Sequence, residues 1–509
     1  MMIIPRFAPR PLRRLMASVS SPVRIAATGQ SMTHDAVGSL TTGSPPNAIS
    51  QLSHNFNGWL TWARALHPCG YFDNWRDAGG SLPINPLDKR IIAQVSDTPA
   101  TQSTWARLFY GGMQARGGQL IEIAQRNSDL LVALDPELTF IGIGESNVYT
   151  DTASSLSTKL QNLVNTVLNG TNSRVLLMCP ITRASIAGNA SSFIIGNPTD
   201  DGYRQRLVDV VPLLQAAYVG NPRVRVFDPN PILTGGTALN IPLAFWLVDH
   251  IHLTARGAYY IGKAVAQVLQ AWGFPDYSEE LYPLPAAYNA SSNPQGNVII
   301  NPLFTGSGGT KGTGVTGTLP DYHRLDRTIG DASVVSSVET LGDGTKKLVL
   351  TFTPGASVST FELQFTNTVN GSAELANPFA TGTWFRAHMF AECSAYDDWR
   401  LARLWLRPSA DSFTIYGGHN VRYAAGRTLY TNESYAAGLS AIQNVETHMP
   451  DEAWEGYIDT PPYQMVGSGG TIRTRLQIMV GPTSGSPIVK ISEPVVRAID
   501  DPRPAYGIT

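Results

Sequence analysis

Ser31 stands in ATGQSMTHD, just past a glycine and at the end of the apolar run VRIAA (23–27). Much later, the string DHIHLTARGAYYIGKAVAQ sets Asp249 and His252 three residues apart. A serine hydroxyl is a weak nucleophile until a base takes its proton, and histidine is the side chain whose ordinary pKa suits that task near neutrality. A carboxylate at the Asp249 spacing can lie beside the ring, hold its tautomer and stabilise the imidazolium formed during proton transfer. Attack on a carbonyl also creates an oxyanion, which needs donors aimed at it. Gly79 in NWRDAGGS, with its bare backbone, and the side-chain amide of Asn147 in GIGESN are the candidates. Gly80 is the alternative to Gly79, and His250 is the rival to His252; the i to i+3 spacing from Asp249 selects His252. His34 reads equally as a substrate-facing or a solvated loop residue, and Glu145 offers a general acid.

These residues are far apart in sequence, so elements must bring them together. Between 23 and 275, short apolar runs alternate with stretches of helical period, the pattern of a parallel sheet wrapped by helices. VRIAA (23–27), GYFDNW (70–75), LTFIGIG (138–144), RVLLMCP (174–180) and RVRVFDP (223–229) are the predicted strands. The predicted helices are 52–66, 155–167, 203–218 and 255–272. Ser31, Gly79 and Asn147 each follow a predicted strand, and in an open α/β sheet ligands bind at the carboxyl ends of the strands.

Residues 279–295, rich in Pro, Asn and Ser, read as a linker between a first domain at 23–278 and a second at 296–509. Beyond the linker the helical period gives way to alternating runs such as KKLVLTFTP (346–354), STFELQF (359–365) and TRLQIMV (474–480), the signature of a β-sandwich. The glycine-rich stretch 305–317 reads as a surface loop. Asp397, Asp398 and Trp399 in SAYDDWRLARLW read as a charged turn before a buried strand, with a sugar-binding patch as the alternative.

The first domain resembles the SGNH/GDSL hydrolase family. GQS with Ser31, the turn from Asn74 with Gly79, G-x-x-N with Gly144 and Asn147, and D-x-x-H with Asp249 and His252 are similar to its sequence blocks. The resemblance implies a flavodoxin-like α/β sheet, a Ser31, Asp249 and His252 triad, and an oxyanion site made by Ser31, Gly79 and Asn147. It also implies no metal and no cofactor, and loop support rather than acid catalysis for Glu145. GQS in place of the more frequent GDS is similar to the sialate and xylan acetylesterase branches, which points to acetylated sugars. Val148 follows Asn147 where the family often has Asp. The second domain, which starts with NVIINPLFTGSGG and TGTLPDYH and ends with TRLQIMV through PIVKISEPVV, resembles jelly-roll modules of phage tail proteins and polysaccharide enzymes, which commonly bind carbohydrate or mediate assembly. Together the two imply a carbohydrate esterase acting on bacterial surface polysaccharide, as a virion tail fibre or tailspike. The alternatives are a glycan-binding adhesin, a structural virion protein, or a lipase or thioesterase of the same family.

The bulk properties narrow the partners. A net charge of −2 over 509 residues offers no broad cationic surface for nucleic acid or anionic lipid. No run of apolar residues is long enough to span a membrane. Cys69, Cys179 and Cys393 are widely spaced and read as buried small hydrophobes rather than as disulfides or zinc ligands. The start of the chain, residues 1–22, carries four arginines and, by residue 11, three prolines without an apolar core, a poor secretion signal. It reads as an extended arm that docks other virion proteins or as a plain disordered tail; failing a virion setting, the protein would leave the cell by another route. A homo-oligomer would suit a fibre, although no heptad stretch predicts a coiled coil.

Overall fold

The computed structural model describes residues 21–30, 33, 39–42, 48–72, 112–115, 119–183, 198–240, 242–243, 246–248, 252–371, 373–409, 414–418 and 449–506. The first half is built on a parallel sheet. Its strands are β1 (Val23–Gly29), β4 (Gly70–Tyr71), β5 (Leu138–Gly142), β6 (Arg174–Met178) and β7 (Val224–Phe227), in spatial order β4-β1-β5-β6-β7. Each neighbouring pair is parallel. The first strand thus lies between the second and the third, the order of flavodoxin-like doubly wound sheets.

Side chains alternate across the sheet. Ile25, Ala27, Phe140, Leu176 and Met178 join one core with helices α1 (Trp59–Leu66) and α4 (Ala255–Ala271). Ala26, Ile141, Val175 and Leu177 join another with α2 (Ala153–Gly170) and α3 (Pro198–Ala217). A strand covered on both faces must be apolar throughout, which is why these strands read as continuous runs. Helix α4 sits directly on α1 because position 262 is glycine: a Cβ there would fall 2.5 Å from Trp59 O.

The second half is two β-sheets. One, of nine strands, runs in the order Thr310–Lys311, His323–Ile329, Ser359–Phe365, Thr471–Val480, Trp399–Pro408, Thr414–Gly418, β3 (Ala48–Asn55) and β2 (Ser39–Thr42), with Leu375–Ala376 beside Thr471–Val480. The other, of seven, runs Val315–Gly317, Ser333–Thr340, Lys346–Thr353, Ile488–Ile499, Trp384–Cys393 and Trp454–Asp459, with Tyr463–Gln464 beside Trp384–Cys393. Thr471–Val480 alternates buried and half-buried along its whole length, as a strand with one face in a core does. The two sheets meet through Phe352 on one and Phe361 and Trp399 on the other, with ring centroids 5.1 and 5.9 Å apart.

Two expectations change. The predicted helix over 52–66 begins only at Trp59, because Asn55 turns the chain: its side chain accepts from Asn57 N and its carbonyl from Gly58 N. Residues 48–55 instead form β3, which pairs in parallel with Thr414–Gly418 and so adds the β2–β3 hairpin of the first half to the sheet of the second. The stretch 305–317, read as a loop, contributes two short strands, one to each sheet. The three cysteines are free and buried, and burial pushes the Cys69 thiol up to about 12.

Helix α1 is buried on all sides, between the parallel sheet and the sandwich. Trp59 meets Phe140 on one side, and Trp62 meets Trp454 on the other at 5.0 Å. Beside this aromatic contact lies a buried carboxylate, Asp459, at the end of its sandwich strand. Its Oδ1 accepts from Arg64 of α1 and lies 3.1 Å from His54 Nδ1 of β3, while Oδ2 accepts from Arg386 at 2.6 Å. Burial alone would raise this carboxyl; Arg64, His54 and Arg386 overcome it and hold it well below the usual carboxylate range.

Replacing Asp459 with Asn leaves two buried guanidinium groups short of their counter-charge, and should cost about 3–5 kcal/mol in urea unfolding. With the folded-state pKa below the ordinary 3.8, the unfolded chain binds the extra proton first as pH falls. The advantage of the wild type over Asp459→Asn should therefore be full above the carboxylate range and shrink as pH drops through the folded-state value.

Candidate active site

The connections leaving β1 and β5 part to opposite faces of the sheet, toward α1 and α2 respectively. A crevice forms outside the carboxyl ends of two strands where this happens. Two glycines shape it. A Cβ on Gly29 would fall 2.3 Å from Gly142 O, and one on Gly142 would fall 2.4 Å from Thr33 Oγ1. The bare backbones let the ends of β1 and β5 close on each other, and Gly142 O accepts from Gln30 N at 3.0 Å and from Thr33 Oγ1 at 2.9 Å. Gln30 is buried and its Nε2 reaches Ser146 Oγ at 2.5 Å. Residues 30 and 33 are thus tied to β5, and Thr33 N donates to Gln30 O. Ser31, between them, lies outside the described residues, as do Gly79, Gly80, Asp249, His250 and His34.

His252 is described and half-buried. It belongs to a small hairpin in which His252–Leu253 pairs antiparallel with Leu247–Val248. The next residue, Thr254, caps α4 by accepting from Gly257 N at 3.2 Å, and Thr254 N donates to Trp246 O at 3.0 Å. Glycine is required at 257, since a Cβ there would fall 2.3 Å from Trp246 O. The string H-L-T-A-R-G therefore encodes the half-buried histidine, a buried leucine, the cap and the close approach in succession. At its other end α4 reaches the amino end of β6, where Arg174 donates to Trp272 O at 2.8 Å. A helix of 17 residues spans about 25 Å, which carries its first turn back to the carboxyl side of the sheet.

Asn147 opens a 3-10 turn after β5 and is buried. Its Oδ1 accepts from Ile121 N at 3.0 Å, and its amide donates to Glu122 Oε2 at 2.9 Å and to Asp151 Oδ2 at 3.3 Å. Lys159 completes this group by pairing with both carboxylates. Here the side chain ties the first turn of a helix at Ile121–Arg126 to the turn before α2, with its N–H groups turned to carboxylates. Gly144, three residues earlier, has φ of +128°, a conformation that a side chain disfavours.

Beneath the same rim is a polar group that the sequence only partly suggests. Glu145 is fully buried, with Oε1 accepting from Ile181 N at 3.3 Å and Oε2 unpaired. Burial raises its carboxyl above the ordinary value, against the pull of the buried Arg183 guanidinium. Asn230, beyond β7, accepts from Thr182 N at 2.7 Å and donates to Pro180 O at 3.1 Å, fixing the loop that carries Arg183. Arg183 lies just past a buried strand, where a charge with no sequence partner is the one available signal. Among the described residues, no three His, Cys, Asp or Glu side chains are grouped to hold a metal. Asp398 is buried and accepts from Arg400 and from Thr483 Oγ1, with Trp399 buried behind it, a charged turn before a strand.

A carboxyl raised by burial keeps its proton in the folded chain and loses it in the unfolded one above the ordinary 4.5. Its contribution to stability is present below that value and declines as pH rises. Glu145→Gln, neutral at every pH, should therefore gain on the wild type in urea unfolding as pH rises above the ordinary 4.5. A difference independent of pH would show an ionised Glu145.

No family model matches the chain, and no curated protein does. Solved structures with similar parts include a carbohydrate esterase family 3 protein from Talaromyces cellulolyticus, at 14% identity over 32% of this chain and 73% of that one, with a TM-score of 0.25. Another is the enzymatically active domain of tailspike protein 4 of bacteriophage CBA120, at 12% identity over 35% of this chain, with a TM-score of 0.20; the chain spans 19% of its length. A third is TmCBM61 in complex with beta-1,4-galactotriose, at 11% identity over 40% of this chain and 99% of that one, with a TM-score of 0.21. Identities and scores this low leave activity and substrate to the chain's own residues.

Proposed function

We propose that the protein is a serine esterase of the SGNH/GDSL type that removes short acyl groups, chiefly acetyl, from carbohydrate. What supports this reading is that two of its motifs lie on the carboxyl side of the parallel sheet. Gln30 and Thr33, on either side of Ser31, are tied to the end of β5, and the His252 hairpin stands at the start of α4 on that same carboxyl side.

In this reading His252 accepts the proton of Ser31 as the hydroxyl oxygen attacks the ester carbonyl, and Asp249 orients the imidazole. The carbonyl oxygen becomes an oxyanion facing the backbone N–H groups of Ser31 and Gly79 and the amide of Asn147. For Asn147 to serve, its amide must turn from Glu122 or Asp151. Collapse of the tetrahedral species breaks the bond to the sugar oxygen, which leaves with the proton held by His252. Water then attacks the acyl-Ser31 ester, giving its proton to the same imidazole, and acetate departs as the serine recovers its hydrogen. The substrate is an acetylated polysaccharide, and the setting is a virion tail, with residues 1–22 as the arm toward other virion proteins.

Ser31→Ala should abolish hydrolysis of p-nitrophenyl acetate, with a residual rate at least about 10³-fold below wild type, and leave the unfolding midpoint unchanged. Retained turnover would remove the assignment. An acetyl preference also requires a steep fall across a series of longer p-nitrophenyl esters, whereas a flat or rising series would indicate a lipase or thioesterase.

A further inference from the structure

We infer that Asp451, on the sandwich, is a positioning residue for His252, acting through Tyr260 and Trp246. The inference rests on the reading of His252 as the base.

The hairpin that carries His252 has two residues per strand, too few to hold a fixed place without support. Part of that support is apolar, from the fully buried Leu247 and Leu253. The rest comes through Trp246, the residue before the hairpin. Its carbonyl receives Thr254 N at 3.0 Å, and its indole lies parallel to the Tyr260 ring with centroids 4.6 Å apart. Tyr260 in turn donates its hydroxyl to Asp451 Oδ1 at 2.7 Å.

Asp451 is itself fixed to the sandwich, since its carbonyl accepts from Tyr396 N at 3.0 Å. Its second oxygen faces Arg256, which is four residues before Tyr260 and so on the same side of α4. The Arg256 side chain is buried and spans the seam, donating to Met449 O at 3.1 Å and to Asp397 O at 2.7 Å. One turn further along, Glu452 accepts from Tyr259 at 2.6 Å and pairs with Lys263. The sandwich thus grips the first two turns of α4, and the grip passes by way of Tyr260 to the strand pair bearing the imidazole. A shift of that ring by about 1 Å is enough to slow proton transfer about 100-fold.

The test is steady-state hydrolysis of p-nitrophenyl acetate by the full chain. Asp451→Ala should lower kcat about 10- to 100-fold with KM within about twofold, because substrate contacts are untouched while the base moves. Asp451→Asn, which still accepts from Tyr260, should stay within about threefold of wild type. A merely structural role would lower the unfolding midpoint and leave kcat unchanged well below it, and that result overturns the inference. If Asp451→Ala yields no folded protein, Tyr260→Phe carries the test: it keeps the ring on Trp246 but frees it from Asp451, and an unchanged kcat overturns the proposal. His252→Ala separates the two readings. Full activity in that variant would sink the base assignment, whereas an inactive His252→Ala beside a fully active Asp451→Ala would sink the positioning role alone.

Discussion

A single buried carboxylate fixes how the two halves of this chain are joined. Asp459 ends a sandwich strand, yet its partners are Arg64 on the first helix, His54 on a strand from the α/β half, and Arg386 on the sandwich itself. A buried charge is tolerated only where its counter-charges are present, so the seam holds one arrangement and penalises slippage. The aromatic contacts of Phe56, Trp62, Tyr259 and Trp454 surround the same seam and supply the apolar burial. The hairpin β2–β3 extends the union by joining a sandwich sheet, so the sandwich lacks two strands without the first half.

That union bears on the chemistry. The serine loop leaves β1 only a few residues before the hairpin that enters the sandwich, and the histidine hairpin leads into a helix whose first turns rest on Asp451, Glu452 and Met449. The histidine end of the proposed catalytic pair is thus anchored to the sandwich through α4. Within the sheet itself, the close approach of Gly29 to Gly142 is what brings the first rim together, and no larger residue fits at either position.

The parallel sheet was legible because burial on both faces forces continuous apolar runs, and each of its strands overlaps a stretch that reads that way or, for Gly70–Tyr71, an aromatic run, with β1 continuing two residues past VRIAA. The start of α4 was legible too, since histidine, cap and glycine follow one another in a few residues. The strand at 48–55 was not, because its pairing partner lies far later in the chain and its own polar residues fit a helix as well as a parallel edge. Asp459 gave no local sign of its partners for the same reason. Asn147 shows a different limit: an amide in a turn after a strand suits an oxyanion site, but only the packing of Ile121, Glu122 and Asp151 around it reveals where its hydrogen bonds go.

The meeting of the hydroxyl at position 31 with the imidazole at position 252 is the claim on which the catalytic account turns, and the most direct measurement is a crystal structure after treatment with an alkyl phosphonate ester. The account predicts a single covalent adduct, on Ser31 Oγ, with a ring nitrogen of His252 about 3 Å from that oxygen. An adduct on another residue, or an imidazole facing away from the modified serine, would contradict it.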